Sequence, residues 1–135
     1  MADTYRILVT GSRDWADENL IAGALLHEVS RRPASDTIVI VHGAARGADV
    51  MANRVALHYE WQIERHPADW ERFGRQADVI RNAEMVKAGA DVCLAWIIPC
   101  ARPGCGGGVP HGSHGATHCA DLAAKAGIHV RRFLA

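Results

Sequence analysis

The chain has 135 residues, 49% of them hydrophobic and 22% charged, the composition of a soluble globular domain long enough to bury a core. Its 15 basic side chains are matched by 15 acidic ones, which leaves no net positive field for gripping duplex nucleic acid; no apolar run reaches the ~20 residues that span a membrane. A single domain over residues 1–135 is expected, in the cytoplasm with reduced thiols, because no export segment is recognisable at the N-terminus.

Residues 5–10 (YRILVT) read as a short strand ended by Gly11. Asp14 is placed to cap the next helix, with Asp17 in its first turn, and Leu20, Ile21, Ala24, Leu25 and Val29 recur at helical spacing up to Pro33. Residues 37–41 (TIVIV) are β-branched and apolar on both faces, as in a central parallel strand. A helix is expected over 48–59, a weaker strand over 63–66 before Pro67, and a helix over 70–88 with a break near Gly74. Residues 90–98 form the next strong strand. Residues 99–113 are a Gly/Pro/Cys-rich insert, followed by a helix to 126 and a closing strand over 128–134.

The order β-α-β-α-β-α-β-α-β predicts an α/β fold with right-handed crossovers. It would be a Rossmann-like three-layer sandwich whose five-stranded, mainly parallel sheet runs 3-2-1-4-5 with helices on both faces. Strands one and four then meet at the topological switch point, the usual binding crevice of such sheets. The loops support this placement. Those that follow strands carry Gly11-Ser12-Arg13, the stretch "HGAARG" from His42 to Gly47, "HPAD" from His66, and the insert. Those that follow helices are plain. Gly11 admits close backbone approach, Ser12 and Arg13 suit a phosphate or carboxylate, and the helix start behind them adds a positive dipole end.

The loop from Gly43 to Gly47 lacks the lysine of a P-loop, and the first loop lacks a full G-x-G-x-x-G fingerprint. The second strand ends in His42-Gly43, without the acid that holds a ribose in NAD enzymes. Asp49 reads chiefly as a partner for backbone donors. Arg81 and Asn82 either face the crevice or form a solvated pair. Trp15 is a core residue or a stacking surface for a base, and His42 and His66 end strands at the crevice as ligand contacts, structural hydrogen bonders or acid–base groups.

Taken together, "TGSRDW", "HGAARGAD", "PADW", "RN" before Met85, "ADVCLAW" and "GSHGATHCADLAAKAGI" resemble the SLOG superfamily over about residues 5–133, specifically its small YspA/cpYpsA-related branch. The resemblance implies a nucleotide or nucleotide-derived ligand, of ADP-ribose or NAD-derivative type, with Gly11, Ser12, Arg13, Gly43 and Gly47 lining its cradle and Ser113, Gly115 and Thr117 at a second glycine-rich phosphate loop; His42, Arg81, Asn82 and His114 are added as ligand contacts by their own placement at the crevice. It also implies pairing of copies into a homodimer, as SLOG relatives often do. The related LOG phosphoribohydrolases carry a P-G-G-x-G-T-x-x-E signature with a catalytic glutamate. Alignment onto residues 112–120 puts Cys119 or Ala120 at that position, so binding or sensing is expected over glycosidic hydrolysis. A hydrolase would need Asp121, Asp49 or a histidine instead.

The insert and the following helix hold three of the four cysteines and three of the eight histidines. Cys100, Cys105 and His111 offer thiolate and imidazole ligands for a structural zinc, or the insert is a glycine-rich flap with free thiols. A zinc-stabilised interaction module is the third functional class. Cys93, inside a strand, reads as a small buried hydrophobe.

Overall fold

The computed structural model describes residues 3–98 and 114–134. Among these, β1 (Thr4–Gly11), β2 (Thr37–His42), β3 (Gln62–Arg65), β4 (Val92–Ile97) and β5 (His129–Leu134) form one parallel sheet in the order β3-β2-β1-β4-β5. The expected Rossmann-like α/β arrangement is the one adopted.

Strand alternation divides the core. Ile7, Val9, Ile38, Ile40 and Leu94 point to one face, where they pack with Ile21 and Leu25 of α1 (Glu18–Ser30) and Ala48 and Ala52 of α2 (Ala48–His58). Leu8, Val39, Val41 and Cys93 point to the other, against Met85 of α4 (Ala77–Ala88) and Cys119 and Ala123 of α5 (His114–Lys125). With helices on both faces, every residue of β4 is buried, whereas the edge strand β5 alternates between exposed and half-buried positions.

Two local expectations change and a third holds. The N-cap of α1 is Asp17, whose Oδ1 accepts from Leu20 N–H at 3.2 Å, while Asp14 lies exposed beside Arg46 at 3.5 Å. The chain between them first delivers the Trp15 indole to the core, where its Nε1 donates to the Asp17 carbonyl, so helical geometry starts later. Trp15 is thereby removed from any stacking role. On α1, Leu20 is exposed, and on α2 the exposed Leu57 gives way to Ala48, Ala52, Val55 and Ala56 at the sheet. Small side chains let α2 sit close to the strands. The break expected near Gly74 is present: residues 70–88 are divided into α3 (Trp70–Phe73), a 3-10 turn (Gly74–Gln76) and α4, with Gly74 at φ +58°.

The register brings Gly11 beside Trp96, so β1 and β4 end together. A Cβ on Gly11 would lie 2.3 Å from the Ala48 Cβ, so the start of α2 rests directly on the end of β1. That contact carries the β2–α2 loop up against the β1–α1 loop. Among the described residues, no helix is long and apolar enough to cross a membrane.

Candidate functional site

The carboxyl ends of the strands are tied to one another first. Ser12 N–H donates to the Trp96 carbonyl at 2.8 Å, and Ile98 N–H donates to Ser12 Oγ at 2.8 Å, which closes the split between β1 and β4. Ser12 is buried, and its hydroxyl oxygen works within the protein.

The next loop, residues 43–47, is held from beneath. Asp49, in the first turn of α2 and 5% exposed, turns its Oδ2 back to accept Gly43 N–H at 3.1 Å and Ala45 N–H at 3.2 Å. Between those two amides, Ala44 N–H donates to His42 Nδ1 at 2.9 Å. An Nδ1 that accepts puts the ring proton on Nε2, which then donates to Asn53 Oδ1 at 2.8 Å. Burial pushes the His42 pKa down, and the nearby charges of Arg65, Arg81 and His66 push the same way against the opposing Asn53 bond. His42 is therefore a neutral prop with both nitrogens engaged. His66, at the end of β3, is bound to Glu64 at 2.7 Å.

This arrangement reverses the simple picture of a glycine-rich loop offering its amides to a phosphate. The amides of Gly43, Ala44 and Ala45 point inward, to a carboxylate and an imidazole. Gly47 closes the loop at φ +82°, its Cα so near the Ser12 and Arg13 carbonyls that a Cβ would fall 2.5 and 2.6 Å from their oxygens. Ala44 adopts φ +57°, a left-handed conformation unusual for a residue with a Cβ.

Arg81 and Asn82 resolve toward the crevice. Both are buried on the sheet-facing side of α4, at 9% and 3% exposure. Arg81 Nη1 donates to the Gly43 carbonyl and its Nε to Asn82 Oδ1 at 2.9 Å. Asn82 Nδ2 in turn donates to the Gly115 carbonyl at 3.3 Å and lies 3.3 Å from His118 Nδ1. These contacts link the β2–α2 loop, α4 and the start of α5. Beneath them, burial raises the Asp49 pKa to about 6 in spite of its amide bonds and the Arg81 and Arg13 charges, and Oδ1 has no partner among the described residues. Thr117 Oγ1 is likewise buried and unpartnered among the described residues.

Above this floor lies a cavity of about 350 Å³, within the range of small-molecule sites. Arg13 contributes from the β1–α1 loop; Gly43, Ala44, Ala45 and Arg46 from the β2–α2 loop; Pro67, Ala68 and Trp70 from the β3–α3 segment; Arg81 from α4. Three guanidiniums and no carboxylate line it, so its chemistry favours an anion. A cavity of about 370 Å³ at the opposite end of the sheet, between Val29, Ile38 and Trp61, holds instead a self-neutralised Arg32–Asp36 pair at 2.9 Å.

Gly11, Ser12, Arg13, His42, Gly43, Gly47, Arg81, Asn82 and Gly115 are thus gathered at one sheet edge. Around Gly115 the described residues leave open space for a Cβ, in contrast to Gly11, Gly43 and Gly47. Ser113 and the side chain of His114 lie outside the described residues, as do Cys100, Cys105 and His111 of the expected zinc set. Cys119 is a buried thiol pushed up to about 11, mainly by burial, with Thr10 hydrogen-bonded to it. Asp121 is exposed and paired with Arg132 at 2.8 Å.

Of the lining residues, Ala44, Ala45, Arg46, Pro67, Ala68 and Trp70 were not among the ligand contacts expected from the sequence. Arg46 and Trp70 were legible, since each follows a strand at the crevice edge. The left-handed Ala44 has no signature in sequence.

A model of the YspA, cpYpsA-related SLOG family matches residues 5–73. Similarity to the "Gene 61 protein" of Mycobacterium phage D29 extends further, at 45% identity over 133 residues and 95% of each chain. No solved structure matches.

Proposed function

The chain belongs to the YspA, cpYpsA-related SLOG family, and from that premise we propose that it binds or senses a nucleotide or nucleotide-derived ligand of the ADP-ribose or NAD-derivative type. The observation that carries this reading is the convergence of Arg13, Arg46 and Arg81 on one cavity at the carboxyl edge of the sheet. Arg13 and Arg46 supply the charge that meets the phosphates. Arg81, held by the Gly43 carbonyl and Asn82, fixes the floor beneath them.

Binding without glycosidic cleavage is the better reading of the same site. The residue aligned with the glutamate of the LOG signature is Cys119, a neutral thiol at physiological pH, or Ala120. Isothermal titration with ADP-ribose tests the proposal. Arg13→Ala is expected to weaken binding by ~1.5–3 kcal/mol, the range for a hydrogen bond to a charged group. Unchanged affinity would remove Arg13 from the site, and release of free base or ribose from AMP, ADP-ribose or NAD would replace binding by hydrolysis.

A further inference from the structure

The crevice also has an aromatic wall. Trp70 opens α3 and is 48% exposed, although an indole is costly to leave in water. Its position is fixed from both sides: Pro67 precedes it, and the Asp69 carboxylate accepts Arg72 N–H at 3.1 Å, capping the short helix that Trp70 begins. The guanidinium of Arg13 lies 5.8 Å from the ring centroid. Trp15 and Trp96 are buried in the core, and Trp61 stacks on Tyr59 with centroids 5.1 Å apart. Of the four tryptophans, Trp70 is the one that lines the crevice.

The rest of the lining is small where it is not charged. Ala44, Ala45 and Ala68 contribute methyl groups, and Ala44 keeps its methyl at φ +57°, where glycine would be unstrained. Its amide is tethered to His42 Nδ1, so the backbone cannot relax away from this conformation without losing that bond. A flat indole on one side, methyl groups beside it and guanidiniums at the rim and floor together make a slot for a planar ring that carries an anionic tail.

We propose that Trp70 is the base-recognition residue of the site: the heteroaromatic base of the ligand stacks on its indole, while Arg13 and Arg46 hold the phosphate. This rests on the nucleotide-binding reading above and adds to it the part of the ligand that the arginines do not read. Stacking tolerates different bases, so Trp70 distinguishes ligands with a base from bare sugar phosphates more than one base from another.

The test compares AMP with ribose 5-phosphate, which share the sugar phosphate and differ in the base. Both are titrated into the wild-type protein and into the Trp70→Ala, Trp70→Phe and Arg13→Ala variants. Trp70→Ala is expected to weaken AMP about tenfold or more, with partial recovery in Trp70→Phe, and to leave ribose 5-phosphate unchanged. Arg13→Ala is expected to weaken both ligands. If Trp70→Ala weakens both equally, the indole only supports the loop and the stacking proposal falls. It falls too if AMP binding survives Trp70→Ala but is lost with Arg13→Ala, an outcome that leaves the anion site standing. Failure of the wild-type protein to bind either ligand would remove the anion site and the base slot together.

Discussion

Replacing Gly43 by alanine adds one methyl group at the point where the β2–α2 loop and α4 touch. That methyl would fall 2.2 Å from Arg81 Nη1, 2.6 Å from Cζ and 2.9 Å from Nε. The three nearest atoms all belong to one guanidinium, so the guanidinium must move. Arg81 is long, and in solvent such a movement would cost little. Here it is buried, and moving it breaks the bond from Nη1 to the Gly43 carbonyl and the bond from Nε to Asn82. Hydrogen bonds involving a charged group contribute ~1.5–3 kcal/mol each, and part of the loss can be recovered in a shifted rotamer. Gly43→Ala should therefore destabilise the protein by ~2–4 kcal/mol. In an Arg81→Ala background the obstacle is gone, and the same methyl should cost less than ~1 kcal/mol. The double-mutant cycle, read from urea unfolding followed by circular dichroism, should thus give a coupling energy of ~2 kcal/mol between residues 38 apart in the chain. Equal costs of Gly43→Ala in both backgrounds would refute the reasoning, because the clash would then lie with the loop itself.

Two further outcomes are expected. Asp49 has a folded pKa of about 6 against an ordinary value of 3.8, so the folded state holds a proton that the unfolded state has released. Its contribution to stability is greatest below pH ~4 and declines as pH rises to ~6, by on the order of 3 kcal/mol. Glu64 has the opposite sign, with its pKa lowered to about 2 mainly by Arg6, so its contribution is lost only as pH falls from 4.5 towards 2. Between pH 4.5 and 6 the difference in urea stability between wild type and Asp49→Asn should therefore change in favour of the variant as pH rises; parallel curves would show that Asp49 does not titrate there. Gly47→Ala meets the Ser12 and Arg13 carbonyls and a φ of +82°, and should destabilise by more than ~1 kcal/mol, whereas Gly23→Ala, in the middle of α1 with open space around its Cα, should stabilise by ~0.5–1 kcal/mol. Thermal melts showing the same sign for both would overturn the contrast.

The order of strands and helices, the parallel sheet and the edge at which the unusual residues collect were legible in the chain because each rests on short-range patterns. The apolar run of β2 and the glycines and prolines that punctuate the loops need no distant partner to be read. The break at Gly74 was legible too, but the cap of α1 was not: the pull of the core on Trp15 moved it from Asp14 to Asp17. Tertiary structure alone decided where the polar side chains point. Arg81 and Asn82 could have been a solvated pair, and became the floor of the crevice only because α4 packs between the Gly43 carbonyl and the start of α5. In the stretch "HGAARGAD", Asp49 accepts two of the loop amides, as its place at the helix start suggests, and His42 takes the one between them. The Asp49 role was legible from a carboxylate placed at the helix start behind the loop, whereas the turn of His42 Nδ1 toward the Ala44 amide depends on burial and on the Asn53 bond that only folding brings near. What the loop presents to the cavity is its methyl groups and the arginines around it, and these are the groups that the proposed nucleotide site depends on.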